Sequence, residues 1–301
     1  MQFRENYNPL AAIQSNGEPT FLKDETPGHT VACFETKPHN RRVANTSWQQ
    51  RIRRAEHLAA KHPFAAEILG FYIHTARFQE GLYQRLGQGS RSRAMDDPDL
   101  AELAASFPAF LTLVEEHGPA LLAQVTHDLR SSNPNSFADL FTECWTRTDA
   151  PTDPKEFLVL AFIQPYAEFS RSRAPLQLEG NTSLQCPFCQ RKPALGVLRP
   201  QGDGGRRSLL CGFCLTEWEF RRVVCPGCGQ EDHTKLPVYT AESFPYIRVE
   251  CCDTCHTYIK SIDMTKNGLA EPLVDELASI PLSLWAQERG YAKLNSNLLG
   301  M

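Results

Sequence analysis

The sequence has no long hydrophobic run and no excess of basic residues, and each absence excludes a class of protein. Its longest apolar stretch, FLVLAFI at 157–163, is far shorter than the roughly 20 residues that a transmembrane helix needs. Lys and Arg together number 31 against 35 Asp and Glu, a net charge of −4, whereas a nucleic-acid-binding protein usually carries a basic footprint. We therefore predict no membrane insertion and no nucleic-acid partner.

The sequence also lacks the marks of export and of catalysis. The opening residues, MQFRENYNPL, contain no apolar signal segment, and the pair Arg41-Arg42 is followed by the polar stretch VANTSWQQ, which is not a twin-arginine signal. We find no Ser/His/Asp or Cys/His constellation and no glycine-rich phosphate loop. These absences predict a cytoplasmic protein that is not an enzyme.

The first half of the chain of 301 residues reads as an arm followed by helices. Residues 1–45 are polar and proline-containing, which predicts an extended arm. Residues 46–173 show repeated amphipathic periods with short connections, which predict an α-helical bundle. Its later helices are expected at roughly 98–116, 119–130, 136–147 and 154–170. Pro108 and Pro165 should start, kink or end turns rather than lie in the middle of a helix.

Cysteines dominate the second half. Nine of the 11 cysteines lie between 186 and 255, and eight of those nine form four Cys-x-x-Cys pairs. The intervals between the first and second pairs and between the third and fourth are 21 and 23 residues. This spacing is typical of tetrahedral metal sites. We define site 1 as Cys186, Cys189, Cys211 and Cys214, and site 2 as Cys225, Cys228, Cys252 and Cys255.

The residues between the pairs predict that one supersecondary unit occurs twice. PALGVLRP, QGDGG and RRSLL read as strand, turn and strand before Cys211, and KLPVYTAESFPYIRVE supplies the same hairpin before Cys252. The fold class is therefore α+β. An N-terminal helical bundle is followed by a metal unit at 174–224, a second at 225–270, and a tail at 271–301 with a short helix.

Other arrangements of these cysteines remain open at this stage. Cys252-x-x-Cys255-His256 also matches a c-type haem signature, but that reading would leave Cys225 and Cys228 without partners. The pairs can alternatively interleave, first with third, or be oxidised to disulfides, and His233 can replace one thiolate. Cys251 is left over beside site 2, and the solitary Cys33 and Cys144 are expected to be packed or free thiols.

Spacing does not identify the metal, because zinc and iron are both held by four thiolates at similar distances. Cys225-Pro226-Gly227-Cys228-Gly229 has the form of a rubredoxin knuckle. In such a knuckle, Gly229 can adopt a left-handed backbone conformation. Zinc ribbons share this form. We expect two metal ions per chain, and zinc remains the alternative to iron.

The order of these motifs resembles the FdhE family of formate dehydrogenase accessory proteins. The matching features are CPFCQRKP, LCGFCLTEWEFRR, CPGCG, ECCDTCHTYIKSID and the tail IPLSLWAQERGYAKLNSNLLG, after a helical front half. The resemblance covers about residues 45–300 and does not extend to the arm. It implies two rubredoxin-type units on a helical domain, the eight cysteines of sites 1 and 2 as ligands, and iron as the metal.

The same resemblance implies a cytoplasmic maturation protein, or chaperone, that binds the catalytic subunit of a molybdenum-containing respiratory formate dehydrogenase before its export. Two alternatives from other classes remain, a rubredoxin-like electron carrier and a nucleic-acid-binding zinc ribbon protein. The acidic composition disfavours the nucleic-acid binder. A helical half of this size is more than a simple electron carrier requires, which favours the maturation protein.

Overall fold

The computed structural model describes residues 43–88, 103–130, 137–151, 153–176, 182–202 and 204–296. Most of the predicted arm, together with Cys33, lies outside these ranges. The last three residues of the arm, 43–45, already belong to the first helix. Within the described ranges, no helix is long and apolar enough to cross a membrane.

The N-terminal part of the described chain is helical. Its helices are α1 (Val43–Lys61), α2 (Ala66–Gln88), α3 (Phe107–His117), α4 (Ala120–Arg130), α5 (Phe137–Thr146) and α6 (Pro154–Arg173), and a 3-10 turn at Pro63–Ala65 precedes α2. Asp153 caps α6 by accepting a hydrogen bond from the Lys155 amide at 2.8 Å, and such a cap stabilises a helix by about 1 kcal/mol. The predicted helical bundle is therefore observed.

Fully buried aromatic rings hold the helices together. Phe107 of α3 lies 4.8 Å, centroid to centroid, from Phe162 of α6 and 5.0 Å from Phe141 of α5. All three rings are completely excluded from solvent. Edge-to-face and tilted pairs of this kind add about 0.5–1.5 kcal/mol each beyond the burial of their area.

Pro165 departs from the expectation for proline, because it lies in the interior of α6. Proline has no amide hydrogen, so the carbonyl one turn earlier, that of Ala161, loses its helical donor. The structure supplies another donor, since Gln79 Nε2 of α2 donates to the Ala161 oxygen at 2.6 Å in the buried interior. A tertiary contact thus replaces the missing hydrogen bond to the Ala161 carbonyl, and no local sequence pattern reveals it.

We expect Gln79→Leu to lower the free energy of unfolding by about 1–3 kcal/mol, the cost of leaving a buried carbonyl without a donor. Urea unfolding measures this effect. The same substitution in a Pro165→Ala background is the control, because an alanine amide at 165 can donate to the Ala161 carbonyl. An equal loss in both backgrounds would show that the Gln79 side chain acts by packing alone.

The C-terminal half builds one sheet from the two predicted units. The first unit contributes β1 (Leu195–Gln201), β2 (Gly204–Leu210) and β3 (Glu217–Glu219), and the second contributes β4 (Val238–Ala241), β5 (Phe244–Cys252) and β6 (Thr257–Asp263). The strand order is β3-β2-β1-β6-β5-β4. Each unit is an antiparallel hairpin followed by one further strand, as the internal repeat predicts.

A short parallel pairing of β1 with β6 joins the two units. Gly196 lies opposite Ser261 in this pairing. A Cβ atom at position 196 would lie 2.1 Å from the Ser261 hydroxyl oxygen, closer than any real contact, so only glycine lets the two strands approach. The units are therefore halves of one sheet rather than independent modules.

The tail contains more structure than the one short helix predicted. It forms α7 (Pro272–Ala278), α8 (Ile280–Glu288) and β7 (Ala292–Lys293), and β7 adds to β6 in parallel. Asp275 of α7 is completely buried and accepts two hydrogen bonds from the Arg54 guanidinium of α1, at 2.9 and 2.6 Å. It also accepts one from the Tyr246 hydroxyl of β5 at 2.7 Å. The tail thus ties the helical domain to the second metal unit.

Candidate metal centres

The eight cysteines of the four predicted pairs converge in two groups. The sulfurs of Cys186, Cys189, Cys211 and Cys214 all lie within 4.8 Å of one another, and so do those of Cys225, Cys228, Cys252 and Cys255. The structure therefore brings together sites 1 and 2 with sequential pairing. Interleaved pairing is not observed, and His233 lies in a short 3-10 turn (His233–Lys235) outside both groups.

The sulfur separations suit a tetrahedral metal ion. In site 1 the Cys186 and Cys214 sulfurs are 3.4 Å apart and the Cys189 and Cys211 sulfurs 3.5 Å. In site 2, two cross-pair separations are both 3.7 Å. Four sulfurs at about 2.3 Å from one ion would lie ~3.8 Å apart, whereas a disulfide bond is close to 2.05 Å. The cysteines of both sites are free thiols, and as a donor set they fit Zn²⁺ or iron.

Each of the four Cys-x-x-Cys turns, here called knuckles, has the same backbone conformation after its second cysteine. The residue after the second cysteine of each pair has a left-handed backbone, with φ of 60° at Gln190, 56° at Leu215, 77° at Gly229 and 52° at His256. This turn folds the chain back, so that the amide of each of Gln190, Gly229 and His256 donates at 2.9 Å to the carbonyl of the first cysteine of its pair. His256 therefore occupies a turn position of site 2, and Cys252 and Cys255 converge with Cys225 and Cys228 in one group.

Hydrogen-bond donors surround the sulfurs. The Phe213 amide donates to the Cys211 sulfur at 3.4 Å, and the Gly227 amide to the Cys225 sulfur at 3.3 Å. The hydroxyls of Thr216 and Thr257 lie 3.1 Å from the sulfurs of Cys214 and Cys255. Our sequence reasoning missed the two threonines, although a Cys-x-Thr at the second Cys-x-x-Cys pair of each unit was an available signal.

Burial and the neighbouring thiols shift the pKa values of the cysteines in both sites. Hydrogen bonding among the four thiols, together with burial, raises the pKa of Cys211 well above its ordinary value, and burial raises the pKa of Cys225. At Cys255 burial opposes ionisation, but the Thr257 hydroxyl and the neighbouring thiols lower the pKa to about 7. Four thiolates held this close repel one another, and a metal ion bound at the centre of either group would offset that repulsion.

The two sites differ in exposure. In site 1 the most accessible cysteine, Cys189, is 8% exposed, and Cys186 and Cys211 are completely buried. In site 2, by contrast, Cys228 is exposed and Cys255 is partly exposed. Solvent and other molecules can therefore reach Cys228 and Cys255 of site 2 but none of the cysteines of site 1.

The helical domain covers site 1 directly. Phe213, between the two cysteines of the second knuckle, packs edge-to-face on Trp145 of α5 at 5.6 Å. Arg191, two residues after Cys189, is 5% exposed. Its guanidinium stacks on the Phe213 ring at 4.5 Å and donates to the Cys144 carbonyl of α5 at 2.6 Å. Site 1 is thus part of the interface between the sheet and the helices. Arg191 links the two, and its sequence context did not reveal this role.

Two protein-family models match the chain, and the boundary between them falls between the two metal units. Residues 185–222 match the model described as FdhE, central domain, and residues 223–299 match that described as FdhE, C-terminal domain. A protein FdhE homolog of Aquifex aeolicus is 27% identical over 260 residues, which cover 81% of this chain and 92% of the relative. Over residues 185–299 the chain therefore matches the FdhE family. The match to the FdhE central domain includes the four cysteines of site 1, and that to the C-terminal domain includes site 2.

Two further comparisons extend the FdhE likeness to the helical half. A protein FdhE homolog of Haemophilus influenzae strain PittGG is 25% identical over 264 residues, covering 83% of this chain and 87% of the relative. The crystal structure of the FdhE protein from Pseudomonas aeruginosa superposes with a TM-score of 0.63 over 87% of this chain and 98% of that one, at 22% identity. The structural likeness shows that the two chains share the FdhE fold.

Proposed function

We propose that this protein is a maturation factor that binds the catalytic subunit of a formate dehydrogenase in the cytoplasm, before that subunit is exported. Similarity to the FdhE family supports a role in formate dehydrogenase maturation. The observation that carries the proposal is the fusion of a helical domain to two four-cysteine units through a shared core. This construction offers a broad, metal-shaped surface on which a client protein can dock.

We further propose that each chain holds two iron ions, one in each four-cysteine group, with zinc as the alternative. Both metals accept four thiolates in this geometry, so metal analysis of anaerobically purified protein together with its optical spectrum distinguishes them. The protein should oxidise no formate of its own. Its metal ions would then stabilise a binding surface rather than act on a substrate.

An electron carrier is the second candidate, and the exposure of Cys228 favours it. A thiolate at the surface shortens the path between a redox-active metal and a partner. The helical domain disfavours this function, because it adds an extensive folded surface that electron transfer does not need. Capture of the formate dehydrogenase subunit distinguishes the two functions.

We expect wild-type protein to capture the catalytic subunit of formate dehydrogenase from cell extract and Cys252→Ser to capture markedly less, because the variant loses one ligand of site 2. The matched control is Cys251→Ser. Cys251 is the adjacent residue, 3% exposed, and lies outside both metal groups. Capture of the subunit is measured by pull-down and immunoblot.

Equal capture by wild type and both variants would separate site 2 from client binding. Failure of the wild type to capture the subunit, in an extract that contains it, would reject the maturation function and favour the electron carrier.

A further inference from the structure

In each metal unit, a threonine follows the last cysteine by two residues. Thr216 follows Cys214 by two residues, and Thr257 follows Cys255 by two. Both hydroxyl oxygens lie 3.1 Å from the cysteine sulfur, within hydrogen-bonding distance for sulfur. Thr216 directly precedes β3 and Thr257 begins β6, so each strand holds its threonine in place. The contact thus belongs to the repeated architecture rather than to one site.

Metal binding decides which atom donates the proton. With a thiol, either the sulfur or the hydroxyl could donate. A cysteine that binds a metal is a thiolate and carries no proton, so only the threonine hydroxyl can donate. The hydrogen bond is then charge-assisted, and such bonds are about twice as strong as neutral ones.

Backbone amides and threonine hydroxyls both donate to the sulfurs. Cys211 and Cys225, the first cysteines of their knuckles, receive backbone amides from Phe213 and Gly227. The last cysteine of each site, Cys214 or Cys255, has a threonine hydroxyl beside it, and Cys255 also receives the backbone amide of Thr257. A side chain can be replaced without altering the backbone, so the contribution of the hydroxyl is open to direct test.

We propose that Thr216 and Thr257 are positioning residues of the two metal sites, whose hydroxyls donate to the thiolates of Cys214 and Cys255 and so strengthen metal binding. Neither threonine binds the metal itself. Hydrogen-bond partners that orient metal ligands commonly account for a 10–100-fold difference in metal affinity. This inference concerns the metal sites alone and is independent of the client.

The two threonines should differ in importance because their surroundings differ. Thr216 is 2% exposed, and its partner Cys214 is 1% exposed, so water cannot replace a lost hydroxyl there. Cys255 and Thr257 are partly exposed, and water can take the place of the hydroxyl at low cost. Loss of Thr216 should therefore weaken its site more than loss of Thr257 weakens the other.

Cobalt(II) is the probe for the test, because it binds four thiolates as zinc does and gives a thiolate-to-metal charge-transfer band. Full-length protein stripped of metal is titrated with Co²⁺ against a chelator, which yields two affinities per chain. Thr216→Val and Thr257→Val keep the branched shape of threonine and remove only the hydroxyl. We expect Thr216→Val to weaken one of the two affinities by about tenfold or more and Thr257→Val to weaken the other by less, each with a shift of the band.

Two controls separate the hydroxyl from its surroundings. Thr254→Val alters the same knuckle as Cys255, but the Thr254 hydroxyl accepts from Gln230 at 2.9 Å and does not contact a sulfur. Both affinities should remain unchanged in this variant. Thr216→Ser keeps the donor with a smaller side chain and should restore the lost affinity and the band position.

The proposal is overturned if both valine variants bind Co²⁺ as the wild type does, if both weaken the same one of the two affinities, or if Thr216→Ser is as weak as Thr216→Val. The last result would assign the effect to packing. Should Thr216→Val fail to fold, Thr257→Val still decides the question at the more exposed site, where an unchanged charge-transfer band would reject the hydrogen bond.

Discussion

Cys225→Ser is expected to reduce the bound metal from two ions per chain to one and to leave the ion of site 1 in place. The reason is the sequential pairing of the knuckles, which gives Cys225 three sulfur neighbours in its own unit and none in the other. Metal analysis of the purified variant measures the number of ions. Loss of the ion bound by Cys186 in this variant would contradict the pairing.

Cys186→Ser should cause wider damage, although it also removes a single ligand. Metal binding contributes on the order of 10 kcal/mol to the folding of small four-ligand sites. The cysteines of site 1 share one buried cluster with Phe107, Phe162 and other aromatic residues of the helical domain. When the knuckles of site 1 lose their shape, Phe213 and Arg191 lose their positions against α5, and the helical domain should loosen with them.

Thermal unfolding followed by circular dichroism distinguishes the two cysteine variants. Cys186→Ser should lower the melting temperature of the helical signal strongly, while Cys225→Ser should leave most of that signal unchanged. An identical loss of helical stability in both variants would mean that the two sites contribute equally to the fold, contrary to their different positions in it.

Chelator should remove the two metal ions at very different rates. We expect the ion of site 2 to leave first, because a chelator can attack at the exposed Cys228. The ion of site 1 should leave on the order of 100-fold more slowly or slower still, since its release requires a local opening of the interface with the helical domain. Release is followed by the absorbance of a chromogenic chelator, and two phases of one ion each are the expected result.

The Cys225→Ser variant assigns these phases. It should lack the fast phase and retain the slow one. Mild urea, below the unfolding transition, should accelerate only the slow phase, because urea favours opening of the interface. A single phase for both ions in the wild type would show that burial beneath the helical domain does not protect site 1.

The parts of this structure that could be predicted from the sequence are those that depend on local spacing. A Cys-x-x-Cys turn brings its own two sulfurs together, and one hairpin is enough to bring the next pair to the same ion. Both groups of four cysteines therefore follow from the printed sequence. The helices follow in the same way from the repeat of apolar residues every three to four positions.

The remaining features depend on contacts between distant residues. Nothing near Pro165 shows that Gln79 will donate to the carbonyl that proline leaves unpaired. Left-handed backbone is typical of glycine, so Gly229 signalled its turn, whereas Gln190, Leu215 and His256 adopt the same conformation only because the knuckle requires it. The parallel pairing of β1 with β6 spans only three residue pairs, too few to leave a pattern.

The ion pair between Arg54 and Asp275 can form only late in synthesis, after most of the chain has been made. These residues are 221 positions apart in the chain. A ribosome that adds roughly 5–20 residues per second needs ~10–45 s to advance from one to the other. All four cysteines of site 1 are synthesised in that interval. A metal ion can therefore bind at site 1 before Asp275 is available to pair with Arg54. The nascent chain can thus bring the four cysteines of site 1 together before the tail ties the helical domain to the second metal unit.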